Sequence, residues 1–362
     1  MVRVALCGDV MLGRGLDQIL GHPGAPGLGE AYVHDARDYV RLAEAVNGPV
    51  PRPADPRWPW GEALTALHDA DVRVLNLETA VTAGGTPDPG KGIHYRMHPA
   101  NLPCLAAAHP DVCVLANNHV LDFGAAGFAD TLEVLRTGGF RTAGAGADAA
   151  AAWAPALVPA ARARVVVLAA GMPSSGVPAQ WAARADRGGV AYVPVPSGAW
   201  ARRIAGVVDR VRRPGDLVVV SLHWGGNWGY QVGQDERRFA HTLIDGGADV
   251  VHGHSSHHPR PVEVHRGRLI LYGCGDLIND YEGIGGHERY RADLRLLYLA
   301  EFEAPGGMLA ALRMVPLRAR RLRLDRATAG ERSWLRDTLD GICAPYGTRI
   351  GAAPDGSLIA AI

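Results

Sequence analysis

"ADVVHGHSSHHPRPVEVHRGRLILYGCGD", residues 248–276, starts as one kind of strand and ends as another. The opening "ADVVHGHS" is a short β-branched run closed by polar residues, the form taken by a strand buried on both faces of a parallel sheet. From Arg260 onward, "RPVEVHRGRLILYGCGD" reads as antiparallel strands joined by a tight turn. A chain carrying both patterns needs a mixed sheet system. Between them, four histidines (His252, His254, His257 and His258) fall within seven positions, in a chain with 15 histidines in all. Three readings are open for them: a metal site, a polar loop, or imidazoles satisfied by backbone groups.

Upstream, five more runs have the character of "ADVVHGHS": "VRVALCGD", "DVRVLNLE", "DVCVLANNH", "RVVVLAAG" and "DLVVVSLHWG". Between them "WGEALTALHDA", "GFADTLEVLRTGG", "GAWARRIAGVVDRVRR" and "DERRFAHTLIDGG" place apolar residues at helical spacing and stop at Gly or Pro. Downstream, "LRLLYLAEFE" and "MLAALRMVPLRARRLRL" read as further antiparallel strands. The fold class is therefore α/β with mixed sheets. Pro/Gly-rich stretches at 21–29, 49–60 and 83–92 read as long loops, because the strands on either side share one pattern. We expect a single domain over 1–362, with C-terminal strands and a helix in 290–362.

Lys plus Arg and Asp plus Glu number 37 each, so no global basic surface exists to gather nucleic acid or anionic lipid. Lys91 is the one lysine among these bases. No apolar run is long enough for a membrane span, and "MVRVALCGDV" enters a strand without export features. Cys7, Cys104, Cys113, Cys274 and Cys343 are scattered and form no CxxC pair. Together these features predict a reduced, cytoplasmic protein.

Function must then sit in a local site, and the strand ends supply one. All but one of the six buried-strand runs close on a residue able to bind metal or handle protons: Asp9, Glu78, Asn117–Asn118–His119, His223, and His252, His254 and His257. Ligands of α/β sheets bind outside the carboxyl ends of the strands, so these segments can converge on one crevice. Carboxylates, neutral imidazoles and an amide oxygen suit Zn, Fe or Mn. Taken singly, each has a structural alternative. Asp9 can cap the next helix, Glu78 can be a solvated strand-end acid, and His223 can be a core histidine beside Trp224.

In order and spacing, "GDVMLGR", "NLETAVT", "ANNHVLDFG", "HWGGNWGY", "LIDGGADVVHGHSSHHPRPVEV" and "LILYGCGDLINDY" resemble the CapA family of poly-γ-glutamate capsule biosynthesis proteins. That family is similar to the calcineurin-like metallophosphoesterase superfamily, and the resemblance covers about residues 2–282. It implies a metallophosphoesterase-like sandwich of two mixed β-sheets flanked by helices, with one or two divalent transition metal ions (Mn, Fe or Zn). The implied metal ligands are Asp9, Glu78, Asn118, His223, His254 and His257, and His119 matches the histidine suited to protonate a leaving group. Three departures from the superfamily pattern stand out. Met11 occupies the place of a histidine, Glu78 that of an aspartate, and two residues separate His254 from His257.

Arg14 is a candidate for binding an anionic substrate group, or else a surface arginine. Asp122 either orients His119 or caps the helix that starts near Gly124. Asp276, Asn279 and Asp280 either line the same cleft or form a turn. The expected activity is metal-dependent hydrolysis of a phosphoester or of a γ-glutamyl or other amide, on an anionic small molecule or polymer. The alternatives are a non-catalytic accessory protein of polymer synthesis, and an amide-processing enzyme of a specialised pathway.

Overall fold

A computed structural model describes residues 1–304 and 306–361. Each of the six runs becomes a strand or a strand and its exit: β1 (Val2–Val10), β2 (Val72–Leu77), β3 (Val112–Val114), β6 (Arg164–Gly171), β7 (Leu217–His223) and β8 (Val250–His254). The shorter strands β4 (Thr142–Ala143) and β5 (Ala156–Pro159) lie between β3 and β6. After β8 come β9 (Val262–His265), β10 (Arg268–Leu271), β11 (Asp276–Ile278), β12 (Leu294–Phe302), β13 (Leu309–Ala319), β14 (Leu324–Arg326), β15 (Arg349–Ala352) and β16 (Leu358–Ala361).

Two large sheets result. The ten-stranded one runs β15-β16-β13-β12-β1-β2-β3-β4, with β11 also on β1 and β14 also on β13. The six-stranded one runs β9-β10-β8-β7-β6-β5. Each has a parallel heart, β1-β2-β3-β4 in the first and β6-β7-β8-β10 in the second, extended by antiparallel strands. C-terminal strands complete the sheet that β1 begins, through the β1–β12 pairing.

Period-two alternation shows how the second sheet is buried. On β6, Val165, Val167 and Ala169 join the larger core shared with the first sheet, while Val166, Leu168 and Ala170 join a second core. Ile204 and Val208 of the helix Gly198–Asp209 and Phe239 and Leu243 of the helix Gln234–Asp245 cover that second core. Two buried faces explain why these strands read as unbroken valine runs. Helices Ala63–His68 and Gly124–Thr137 bring Leu67, Phe128 and Leu135 to the larger core.

The same alternation carries a polar stripe. Leu217 and Val219 face the first sheet, so Ser221 and His223 face it too; Val250 does the same for His252 and His254. No helix among the described residues is long and apolar enough to cross a membrane.

All five cysteines are free and buried. Burial pushes the thiols of Cys7 and Cys104 up to about 12 and that of Cys343 to about 11. A thiol-disulfide reagent such as Ellman's reagent should therefore find no fast-reacting thiol in the native protein and all five after denaturation. Rapid native reaction, or fewer than five thiols once unfolded, would contradict this packing.

Candidate metal centre

The first donor comes from a defect in strand pairing. Between Cys7 and Asp9 the β1–β2 register slips by one residue at Gly8. A Cβ on Gly8 would lie 1.7 Å from the Gly275 carbonyl oxygen, so only glycine fits there. Such a bulge re-aims the following side chain, and Asp9 ends fully buried. Its Oδ1 accepts from Asn76 Nδ2 at 2.7 Å and its Oδ2 from the backbone N–H of Ser255 at 3.0 Å. Ser255 holds φ at 108°, strained for a residue with a side chain, and that conformation delivers the donor. Asn76 Nδ2 also donates to Glu78 Oε2 at 3.0 Å and so spaces the two carboxylates. Burial, then the charges of Asp9 and Asp276, push Glu78 well above the usual carboxylate range.

A relay of hydrogen bonds then sets the imidazoles. The Cys7 carbonyl can only accept, so His252 donates to it through Nε2 at 2.9 Å. Burial, reinforced by His254, holds His252 neutral, so its Nδ1 accepts from the Ser221 hydroxyl at 3.0 Å. Ser221 Oγ, its proton committed, accepts from His254 Nε2 at 2.9 Å, so in the neutral His254 ring Nδ1 is a bare lone pair. Likewise His223 Nε2 donates to Asn118 Oδ1 at 2.9 Å, and burial keeps the ring neutral, leaving its Nδ1 bare.

The two bare nitrogens face each other at 2.9 Å, with Asp9 Oδ1 3.4 Å from His254 Nδ1. With both rings neutral these three atoms are all acceptors, and they repel unless a proton or a metal cation lies among them. Asp9, His223 and His254 thus fit a metal ion by donor chemistry as well as by mutual approach within 4.8 Å. Glu78 Oε1 lies 3.8 Å from His223 Nε2, the ring atom that also faces Asn118.

His119 enters from the loop after β3. Its Nδ1 bonds Asp122 Oδ2 at 2.7 Å, turning Nε2 toward Glu78 Oε1 at 3.9 Å. Burial pushes the His119 pKa down to about 4, against the pull of Asp122 and with the help of Lys91. Asp122 does not cap the helix at Gly124; its Oδ2 also accepts from the Tyr95 backbone and its Oδ1 from Lys91. Lys91 also donates to the Asn118 carbonyl. Sequence reasoning singles out neither Lys91 nor Asn76 for the site, although a sole lysine and a mid-strand asparagine are the available signals.

Other expected residues sit differently. Asn118 sets its Oδ1 against His223 Nε2. His257 turns Nδ1 onto Asp276 at 3.0 Å, and lies outside the three-donor group. Arg14 is neither at the surface nor unpaired: its guanidinium donates to Asp280 at 2.9 Å and Glu30 at 3.0 Å and lies on the Tyr39 ring. Asp280 is therefore a structural partner, whereas Asp276 reaches the site through His257. Of the clustered histidines, His258 is packed against Tyr290 and bonded to the Pro259 carbonyl and the Gly229 N–H.

Residues 3–281 match the family model described as bacterial capsule synthesis protein PGA_cap. The chain belongs to that family. This PGA_cap chain is 53% identical over 362 residues to the probable polyglutamine synthesis accessory protein of Mycobacterium tuberculosis, covering 99% of this chain and 95% of that protein. It is 24% identical over 278 residues to the capsule biosynthesis protein CapA of Bacillus anthracis, covering 76% of this chain and 59% of that one. Among solved structures, a hypothetical protein from Thermus thermophilus aligns at TM-score 0.48 and 15% identity over 88% of this chain and 99% of that chain. A putative 5'-nucleotidase from Staphylococcus aureus aligns at TM-score 0.46 and 11% identity, over 94% of this chain and 58% of that one.

For this PGA_cap member the relay makes a graded expectation. His254→Ala should abolish metal binding measured by elemental analysis. Ser221→Ala keeps every donor but frees the His254 tautomer, and should weaken binding about 10–100-fold; unchanged affinity would remove the relay from the argument. Separately, Asp280→Ala leaves the buried Arg14 with Glu30 as its one carboxylate and should cost about 1–3 kcal/mol in urea unfolding, whereas Arg14→Ala strands both Asp280 and Glu30 and should cost more, about 3–5 kcal/mol.

Proposed function

We propose that the chain is a metal-dependent hydrolase acting on a phosphoester or on a γ-glutamyl or related amide. The observation that carries this reading is the convergence of three lone-pair donors, Asp9, His223 and His254, opposite an imidazole whose Nε2 is kept free by Asp122. Asp9, His223 and His254 would hold one ion, with Glu78 and Asn118 beside His223 and His257 at the edge available to a second. When bound, a divalent ion of the Zn, Fe or Mn kind supplies Lewis acidity and a water of lowered pKa.

The chain's own groups do the rest. Asp122 fixes the His119 tautomer through Nδ1, and Lys91 fixes Asp122, so Nε2 is the atom at which a proton is moved to or from the reacting group. Burial of Glu78 and His119 excludes bulk water from that exchange. We take the chain to act as one unit over 1–362 in a reducing, cytoplasmic setting, in keeping with its buried thiols.

A second reading, a non-catalytic accessory protein of glutamate polymer synthesis, is favoured by the word accessory in the name of the 53% identical relative. Turnover of 4-nitrophenyl phosphate, bis(4-nitrophenyl) phosphate and γ-glutamyl-4-nitroanilide with Mn, Fe or Zn separates the two. His119→Gln should keep fold and metal while kcat falls about 100-fold or more. Metal-loaded wild type inert on all three substrates would favour the accessory role, and full activity of His119→Gln would move the proton transfer to another group.

A further inference from the structure

We propose that the cavity beside His257 binds an apolar, flat group carried by the ligand of this site. Resting on the hydrolase reading, this makes the substrate a small amphiphile, with its reacting polar group at the metal centre, rather than a stretch of polyanion.

The cavity has a volume of about 640 Å³, within the roughly 300–1,000 Å³ of small-molecule sites. Its walls include Tyr32, Tyr39, Leu42, Ile93, Trp228 and Ile284, and it opens onto His257. Single exposed apolar side chains are ordinary on a protein surface; a cluster is not. Of ten large apolar side chains exposed among the described residues, Tyr32, Leu42, Ile93 and Ile284 line this cavity and Val46 lines the adjoining one, which shares the Tyr281–Ile284 wall. Tyr32 is 97% exposed and Ile284 50%, an arrangement that leaves apolar surface in water until something covers it.

This wall is built, not incidental. The helix Arg37–Asn47 presents Tyr39, Leu42 and Val46 at spacings of three and four residues, on one face. Gly283, at φ +84°, lets the 281–284 segment approach so closely that a Cβ there would meet the Leu42 carbonyl oxygen at 2.8 Å. Trp228 lies flat against His287, ring centres 3.8 Å apart and 14° from parallel, extending a planar surface along the wall.

Charge complementarity selects the occupant. The permanently charged groups in the lining are already committed, Arg14 to Glu30 and Asp280; of the imidazoles, His257 is bonded to Asp276 through Nδ1 and His287 is covered on one face by Trp228. A carboxylate drawn into this space would lose its water and gain no cation, which is strongly unfavourable. An aryl or similar flat apolar group would instead bury its surface against aromatic and branched side chains.

The test uses the full chain and N-phenyl-1-naphthylamine, a neutral aromatic probe whose fluorescence rises on burial. Saturable one-site binding is expected. Ile93→Ser combined with Ile284→Ser changes two exposed positions, which spares the fold, and should weaken binding about tenfold or more. 1-Naphthyl phosphate should displace the probe, while inorganic phosphate and poly-γ-glutamate should not. Absence of saturable binding, equal binding by the double variant, or displacement by poly-γ-glutamate would overturn the proposal. So would a wild-type dimer, seen by sedimentation, that the double variant abolishes while the probe fails to bind, since a second copy would then cover the patch. Because probe binding requires no turnover, a chain that binds the probe but hydrolyses nothing supports the cavity assignment and removes only the hydrolase reading.

Discussion

The bond from His252 Nε2 to the Cys7 carbonyl ties the two sheets together at the level of the candidate centre. Ser221, His223, His252 and His254 project from the second sheet into an inter-sheet space whose remainder is largely apolar, and Asp9 and Asn76 meet them from the first. Buried polar groups in such a space need complete partnering. The solution is a single line of donors and acceptors that begins on a carbonyl of β1 and ends on the lone pair of His254. Because Asp9 follows Cys7 by two residues, the same bond that satisfies His252 also sets the distance between the carboxylate of one sheet and the imidazoles of the other.

Much of this was readable in the chain. Valine runs with polar exits gave the parallel strands, and the change of pattern after His254 gave the mixed sheets, because both are consequences of which faces are buried. His223 and His254 meet because adjacent parallel strands end side by side, and Asp9 reaches them across the sheets at the level of the Cys7–His252 bond. What sequence could not separate were neighbours of like chemistry. His252 and His254 differ by the relay, not by residue type, and Asn117 is committed to Asn76 and the Leu77 carbonyl while Asn118 faces His223. Arg14 illustrates a further limit: its partner Asp280 is 266 residues away, and nothing local announces the pairing. The helix Arg37–Asn47 was hidden between two Pro/Gly-rich stretches, although its buried Tyr39, Val40 and Ala43 carry the expected spacing.

Strand ends and loops contribute opposite chemistry to the same region. The rigid parallel hearts supply charged and lone-pair donors, whose positions must be accurate to fractions of an ångström to hold an ion. The long connections supply the apolar walls, with Tyr32 and Ile93 near two of the stretches that composition alone marks as irregular. Loop surfaces vary most easily between relatives. A family built this way can keep one polar core while altering what sits beside it.

Lys91 has a consequence of a different kind. It carries the chain's sole ε-amino group, and that group rests on Asp122 and the Asn118 carbonyl with its side chain 15% exposed. Lysine-directed chemistry on these residues therefore has one side-chain address, in the interior of the candidate centre. A covalent label, a crosslinker or an immobilisation resin that reaches it will report on, or block, that centre, which gives the molecule a built-in chemical address where most proteins offer dozens of interchangeable ones.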